Sequence, residues 1–208
     1  MTHMRTPTAS KPTRRAALGM IGGGLALSMA PVPAFALSDA QARQLIDTAL
    51  GEVNAAIASG KSGAALYADF ERIFVRYADV PVIARSALGV AARGASSAQM
   101  AAFTTAFRGY ISRKYGRRFR EFQGSRFEVT GARPVKSFYE VKSIAYMRGE
   151  SPFEVLWHVS DKSGKHLFFN IIIEGVNMLA SERTEVGAML DRRRGNIDQL
   201  IQDLKSAG

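Results

Sequence analysis

The chain has 208 residues, of which 28 are Lys or Arg and 18 are Asp or Glu, so its formal charge is +10 at pH 7. It contains no cysteine, which excludes disulfide bonds and lipid attachment through a cysteine. A hydrophobic fraction of 47% is typical of a globular protein with a substantial core and not of a disordered chain.

The first 36 residues have the pattern of an export signal. They carry four basic residues and no acid, then a Gly-rich apolar run over 16–30 and a small-x-small sequence, Ala34-Phe35-Ala36. The pair Arg14-Arg15, followed by 16–18, resembles a twin-arginine leader. We therefore expect residues 1–36 to be a signal peptide cleaved near Ala36. The alternative is a retained membrane anchor, which needs about 20 apolar residues.

Residues 37–208 are expected to form a single domain. Removal of the leader lowers the formal charge from +10 to +6, because the leader carries four basic residues and no acid. A moderately basic surface suits nucleic acid, anionic lipid or an acidic protein partner, and export argues against nucleic acid. The basic clusters at 113–120 and 192–194 are interpreted mainly as solvated helix faces.

Three helices are predicted at the start of this domain. Ser38 and Gln41 form a capping box that opens a helix ending near Ser59. A second helix is predicted over 64–77, and a third, short helix from Asp79 to about Gly89. Each segment carries apolar residues at helical spacing, so each has one face to bury.

The longest helix is predicted to begin at a second capping box, Ser96 with Gln99. One face of this helix is apolar and largely aromatic. It consists of Met100, Phe103, Phe107, Tyr110, Ile111 and Tyr115. A stripe at this spacing belongs by default to the protein core.

From Arg126 the hydrophobic period changes to two, which is typical of strands. One strand is predicted around 127–129, a less regular one over 139–147, and a third over 153–159. The turn 161–165 leads into a last strand over 167–174. Four consecutive strands with short connections predict an antiparallel meander.

The last predicted strand contains an apolar run, Leu167–Ile173, in which Asn170 is the one polar residue. A strand with one wet face would alternate, so this run predicts an apolar cover on both faces, supplied either by protein or by a ligand. Beyond Gly175, one helix is predicted from Ser181 to about Arg193 and another over 197–205. The fold class is therefore α+β, with a four-stranded antiparallel sheet and about six helices.

Three groups of residues, taken in order, resemble a known family over about 79–204. The first is the segment 84–89, Ala-Arg-Ser-Ala-Leu-Gly, with Gln99, Phe103, Phe107 and Tyr115. The second is the strand pair with Phe153, Val155 and Trp157, followed by 170–177, Asn-Ile-Ile-Ile-Glu-Gly-Val-Asn. The third is a tail with Arg183, Leu190, Gly195, Ile197, Leu200 and Ile201. Their spacing resembles the MlaC-type periplasmic phospholipid-binding proteins, also called toluene-tolerance or ABC-transporter auxiliary proteins.

The chain departs from the family pattern at three positions. Asn170 stands where Asp is usual, His166 where Trp is usual, and Asn177 where Ser is usual. These changes affect a local hydrogen-bond arrangement and not the expected fold. They also leave open a related branch of the family that is associated with hopanoid lipids.

The resemblance implies an NTF2-like cone, in which helices wrap the sheet around a deep apolar cavity for lipid acyl chains. Without the resemblance, the same residues would be interpreted as filling a protein core. The residues that it implies as cavity lining are Ile83, Leu88, Phe103, Phe107, Ile111, Tyr115, Phe127, Val129, Val141, Phe153, Val155, Trp157, Ile171, Ile173 and Met178.

The function implied by the resemblance is that of a periplasmic phospholipid carrier with no cofactor and no bond chemistry. It would shuttle lipid between an outer-membrane lipoprotein-porin complex and an inner-membrane ABC transporter with its substrate-binding ring, which maintains outer-membrane lipid asymmetry.

Two alternatives remain open at the level of sequence. One is a small exported hydrolase or isomerase on a similar scaffold, for which His158 and His166 with Ser160 or Asp161 could be written as a hydrolytic set. The histidines are interpreted instead as exposed residues near a turn, and no His and acid spacing suggests a zinc site. The other alternative is an export-associated interaction module with a filled core.

Overall fold

The order of helices and strands follows the predicted change of hydrophobic period. The structure is a computed structural model that describes residues 37–120 and 124–208; the predicted leader lies outside the described residues. The helices are α1 Asp39–Ala58, α2 Gly63–Tyr77, α3 Val80–Leu88, α4 Ser97–Gly116, α5 Met178–Arg192 and α6 Ile197–Ser206. The strands are β1 Arg126–Val135, β2 Phe138–Tyr146, β3 Phe153–Ser160, β4 Leu167–Ile173 and β5 Val176–Asn177. Among the described helices, none is both long and apolar enough to cross a bilayer.

Both predicted capping boxes are confirmed. The Ser38 hydroxyl accepts a hydrogen bond from the backbone N–H of Gln41, and the Gln41 side chain accepts one from Ser38 N at 2.9 Å. Ser96 and Gln99 make the same reciprocal pair at the start of α4. Each box satisfies backbone donors that the first turn of a helix cannot pair internally, so these two helix starts are fixed by local sequence.

The sheet has five strands in the order β1-β2-β3-β4-β5, with every neighbouring pair antiparallel. The prediction of four strands was therefore wrong by one short strand. Glu174 and Gly175 both have positive φ, 48° and 80°, which is the geometry that a two-residue hairpin requires. This turn folds Val176 back onto Ile173 and creates β5.

The register of the strands divides the sheet into two faces. Val141, Trp157 and Ile171 lie opposite one another on adjacent strands and join the main hydrophobic core together with helix residues. We call this the inner face. Leu156 and Ile172 pair on the opposite, outer face. Ile171 and Ile173 therefore point towards the helices, whereas Ile172 points away from them.

Helices from both ends of the chain cover the inner face. Helix α1 packs on β1 and β2, and α3 and α5 pack on β4. Helix α4 packs on α2, α3 and α6. The centre of this arrangement is fully buried at Ile46, Phe103, Phe107, Val141 and Leu200, each with 0% exposure.

Helix α5 begins at Met178 and not at Ser181 as predicted. The Asn177 side chain accepts a hydrogen bond from Ala180 N at 3.1 Å and caps the helix. Asn170, which is buried in β4, accepts one from Leu179 N at 3.2 Å and one from Ile171 N at 2.9 Å. The amide of Asn170, at the position where the resemblance expects Asp, thus supplies an acceptor to the helix start.

The outer face carries an aromatic cluster around His158. Its ring centroid lies 4.5 Å from that of Phe138 and 5.7 Å from that of Phe169, and its Nε2 lies 3.5 Å from Glu140 Oε2. The side chain is only 14% exposed, so the prediction of an exposed histidine was wrong for His158. Burial lowers the pKa of His158, and the charge and hydrogen bond of Glu140 offset that effect only in part.

The first prediction concerns the link between β4 and α5. Asn170→Ala leaves the partly buried N–H of Leu179 without this acceptor and is expected to lower the free energy of unfolding by about 1–3 kcal/mol. Asn170→Asp keeps an acceptor oxygen beside a helix N-terminus, so its free energy of unfolding should fall by less than that of Asn170→Ala. Urea unfolding measures both, with the exposed cap variant Asn177→Ala as a reference for an ordinary loss of about 1 kcal/mol. An Asn170→Ala protein as stable as wild type contradicts the assigned role.

The second prediction concerns pH. Because the pKa of His158 is lowered, the folded protein binds fewer protons here than the unfolded chain. The contribution of His158 to the free energy of unfolding is therefore fully present at pH values above its ordinary pKa of 6.5. It is lost as the pH falls from 6.5 towards the lowered pKa. His158→Phe keeps an aromatic ring between Phe138 and Phe169 and removes the titration. The stability difference between the two proteins should change across this window, and a pH-independent difference would show that His158 does not contribute.

Candidate functional site

The inner face of the sheet is apolar but is only partly covered. Val141 and Val155 are buried, with 0% and 3% exposure. Other apolar residues of this face keep intermediate exposure although they point towards the helices. They are Phe127, Val129, Phe153, Trp157, Ile171 and Ile173. The helices thus seal the middle of the face and leave much of the remainder half-buried.

The predicted lining residues fall into two groups. One group belongs to the main core, in which the rings of Phe103 and Phe107 stack at a centroid distance of 5.7 Å. That group comprises Ile83, Leu88, Phe103, Phe107, Ile111, Phe127, Val129, Val141, Trp157 and Ile171. The other residues are not part of this cluster; they are Tyr115, Phe153, Val155, Ile173 and Met178.

Trp157 is held across the inner face by a polar contact as well as by packing. Its indole Nε1 donates a hydrogen bond to Ser143 Oγ at 2.9 Å, and Ser143 Oγ in turn donates to Val155 O at 3.4 Å. Its ring meets Phe168 edge to face at 5.4 Å. A buried Ser143 therefore satisfies the one donor of Trp157, which permits a half-buried indole in an apolar surface. Sequence reasoning missed Ser143, because an isolated serine in a strand carries no distinctive signal.

A hydrogen-bonded polar cluster joins α4 to α5. Tyr110 OH donates to Glu185 Oε1 at 2.5 Å, and Tyr115 OH donates to Glu182 Oε1 at 2.5 Å. Lys114 Nζ donates to Glu182 Oε1 at 2.7 Å and to Glu185 Oε2 at 2.6 Å. The backbones of these two helices approach each other little, so long polar side chains make the connection.

Burial and charge together set the protonation of this cluster. Burial raises the pKa of Tyr110 and of Tyr115 far above the usual range, and hydrogen bonds to the carboxylates add to the effect. Burial lowers the pKa of Lys114, but its bonds to Glu182 and Glu185 outweigh that and give a net increase. For Glu185, burial raises the pKa while Lys114 and Tyr110 lower it more strongly. At neutral pH both tyrosines are therefore donors, Lys114 is a cation and Glu185 is an anion.

The prediction of solvated basic faces was wrong for two residues of α4. Lys114 is only 27% exposed and belongs to the polar cluster. Arg113 donates from Nε to Ala207 O at 2.9 Å and from Nη2 to Leu204 O at 2.5 Å, so it satisfies carbonyls at the end of α6. Helix ends attract cations for this reason, and Arg113 ties α4 to the C-terminal helix.

A depression of about 570 Å³ lies on the other side of α4, between α2 and α6. Small residues of α4 make room for it, and Glu71, Arg113, Ile201 and Lys205 surround them. None of the predicted lining residues borders this depression. It is therefore a separate surface feature and not the expected lipid cavity.

Within the described residues, no hydrogen bond joins Ser160, Asp161 or His158 into a hydrolytic set. Ser160 Oγ accepts a hydrogen bond from Lys162 N at 3.2 Å, and Asp161 Oδ2 accepts one from Leu37 N at 3.2 Å. His158 faces Glu140 and two aromatic rings instead. Within residues 37–120 and 124–208, no group of three or more His, Asp or Glu side chains is arranged to hold a metal ion.

Comparison with known proteins agrees with this architecture. The structure of a phospholipid-binding protein from Ralstonia solanacearum, determined in complex with a phospholipid, matches with a TM-score of 0.65 and 17% sequence identity. The match covers 81% of this chain and 96% of that chain, so the two share a fold. The family model described as MlaC protein matches residues 43–206. Because that match spans most of the sequence, the chain belongs to the MlaC family.

Proposed function

We propose that this protein is a periplasmic lipid carrier that shelters phospholipid acyl chains between the inner face of the sheet and the surrounding helices. Membership of the MlaC family supports the proposal, as does the shared fold with a protein that was crystallised with a phospholipid. In this proposal the leader 1–36 directs export and is cleaved near Ala36.

The observation that carries the proposal is the half-buried apolar surface of the inner face. Phe127, Phe153, Trp157, Ile171 and Ile173 face the helices and yet retain partial exposure. Large apolar side chains that remain incompletely covered on an inward face are typical of a binding surface for an apolar ligand. At about 0.8 kcal/mol for each buried methylene, two acyl chains need on the order of 20 kcal/mol of shelter from water.

Lining residues of different burial would meet a lipid in different ways. The half-buried residues of the sheet offer a surface in the present conformation. Phe103 and Phe107 are fully buried against each other and against the core, so a chain that reached them would have to part α4 from its neighbours. The lining proposed from Ile83, Leu88, Phe103 and Phe107 therefore applies to a loaded, expanded state.

Transfer would need no cofactor and no covalent step. The carrier would collect and deliver lipid by reversible burial of acyl chains, and its membrane-bound partners would set the direction. The partners that we propose are an outer-membrane lipoprotein-porin complex and an inner-membrane ABC transporter with its substrate-binding ring. The formal charge of +6 of residues 37–208 suits approach to acidic surfaces.

The direct test is the lipid content of the purified protein. Residues 37–208 are produced in the periplasm, purified without detergent and extracted with organic solvent. We expect about one phospholipid for each protein molecule, and mass spectrometry separates glycerophospholipid from hopanoid. A folded protein that contains no lipid and takes up none from vesicles would contradict the proposed carrier function.

A pair of substitutions in β4 tests the location of the site. Ile171→Trp adds bulk to the inner face beside Trp157, whereas Ile172→Trp adds the same bulk to the outer face of the same strand. We expect the inner substitution to reduce bound lipid several-fold at a cost of about 1–3 kcal/mol in stability, which is typical of overpacking. The outer substitution should leave the lipid content close to wild type. Equal loss in both variants contradicts the assignment of the inner face.

A further inference from the structure

The outward side of α3, and of the short 3₁₀ turn Gly89–Arg93 that follows it, is both apolar and cationic. Val82 on α3 and Val90 on the turn are 44% and 66% exposed. Arg85 and Arg93 alternate with them along the chain and are exposed as well. Single exposed apolar residues are common, so the cations beside these valines decide whether the surface can bind anything.

A side chain of α5 joins the same surface. Val82, Arg85 and Gly89 follow one another at intervals of three and four residues, so they lie on one side of α3. A Cβ placed on Gly89 would lie 3.0 Å from Nε of Arg183, so the guanidinium of Arg183 lies directly against this side. Val90 follows Gly89 directly and continues the surface along the turn. We call this set the α3 surface; it consists of Val82, Arg85, Val90, Arg93 and Arg183.

The three guanidiniums of the α3 surface have no carboxylate partner. Within the described residues, Arg85, Arg93 and Arg183 make no hydrogen bond and no ion pair. The sequence 80–120 contains no Asp or Glu, and both glutamates of α5 are bound in the polar cluster with α4. Unpaired cations that lie close together favour contact with an anionic surface.

The aspartates of the neighbouring helices do not neutralise this charge. Asp79 is buried at the start of α3, where it accepts a hydrogen bond from the first turn at 3.3 Å. Asp198 of α6 accepts one from Gln99 at 3.1 Å. Asp191 lies about 12 Å further along α5 than Arg183. The α3 surface is therefore positively charged.

The composition of the α3 surface suits a bilayer better than a protein partner. Two valines cover too little area for the buried centre of a protein interface, and valine is under-represented among the residues that dominate such interfaces. An anionic bilayer needs less, because its head groups attract cations and a few apolar side chains can insert at its boundary. Two exposed valines among three free arginines meet that requirement.

We propose that the α3 surface docks the carrier on bilayers that are rich in anionic phospholipid. The inference rests on the proposed function, because a lipid carrier has to reach the membranes between which it moves. Helix α3 connects the two roles, since its opposite side carries Ile83 and Leu88, which are buried and belong to the proposed lining. About one helix diameter, roughly 10 Å, separates the docked surface from that lining.

The test measures binding to vesicles by sedimentation. Purified periplasmic protein is mixed with vesicles of phosphatidylcholine alone, or of phosphatidylcholine and phosphatidylglycerol in equal amounts. We expect binding to the anionic vesicles, and we expect it to weaken as salt is added. In the triple variant Arg85→Gln, Arg93→Gln, Arg183→Gln the binding constant should fall about a hundredfold, since each arginine near an anionic surface contributes about fivefold.

A matched control removes three cations from exposed turns elsewhere. The variant Arg148→Gln, Lys165→Gln, Arg194→Gln has the same net charge and an intact α3 surface, so it should keep most of the binding. Equal losses in the two triple variants overturn the inference, as does a wild-type protein that binds neither kind of vesicle. An α3-surface variant that binds anionic vesicles like wild type but no longer binds an acidic protein partner assigns the surface to that partner instead.

A labelling experiment remains decisive if the first triple variant fails to fold. The chain has no cysteine, so Val90→Cys creates a single site for a fluorophore that responds to apolar surroundings. Its emission should shift to shorter wavelength on anionic vesicles, whereas the same label at Ser163→Cys, in the exposed turn between β3 and β4, should show no shift. Equal shifts at both sites, or no shift at Val90→Cys, overturn the inference.

The lipid content of the same preparations separates this inference from the proposed function. A protein that contains phospholipid but does not dock on anionic vesicles leaves the carrier function intact and overturns only the docking surface. A folded protein that neither contains nor takes up phospholipid contradicts the carrier function itself.

Discussion

The apolar inner face of the sheet is the constraint on which the rest of the structure depends. Consecutive antiparallel hairpins place no helix between strands, so the helices that cover this face must come from outside the sheet segment. The chain supplies them from both sides, with α1 and α3 before β1 and α5 after β5. The contacts between the early and late helices are consequently as important as those between helix and sheet.

Features set by neighbouring residues were predictable from sequence, and features set by distant residues were not. The capping boxes at Ser38 and Ser96 lie within one turn of the helix that they start, so they could be read directly. The start of α5 depends in part on Asn170, which is in another element. Met178 and Leu179 fit the end of a strand as well as the start of a helix, and only that tertiary contact and the Asn177 cap decide between them.

In the candidate site, too, features set by neighbouring residues were predictable and features set by distant residues were not. Alternation along β4 separates Ile171 from Ile172, so sequence can assign two faces once the strand is recognised. Sequence cannot give the depth at which a side chain is buried. Phe107 and Ile111 lie one turn apart on α4, yet Phe107 is fully buried and Ile111 is half-buried. Depth depends on the helices that cross α4, and these come from remote parts of the chain.

The thermodynamics of a lipid carrier give polar contacts a large share of the selectivity. Acyl chains leave one apolar medium, the bilayer, for another, the inner face, so most of the burial energy that shelters them from water cancels between the two sites. What does not cancel is the interaction of the head group with the protein. One charge-assisted hydrogen bond is worth about 1.5–3 kcal/mol, which is enough to bias the choice of lipid and small enough to permit release.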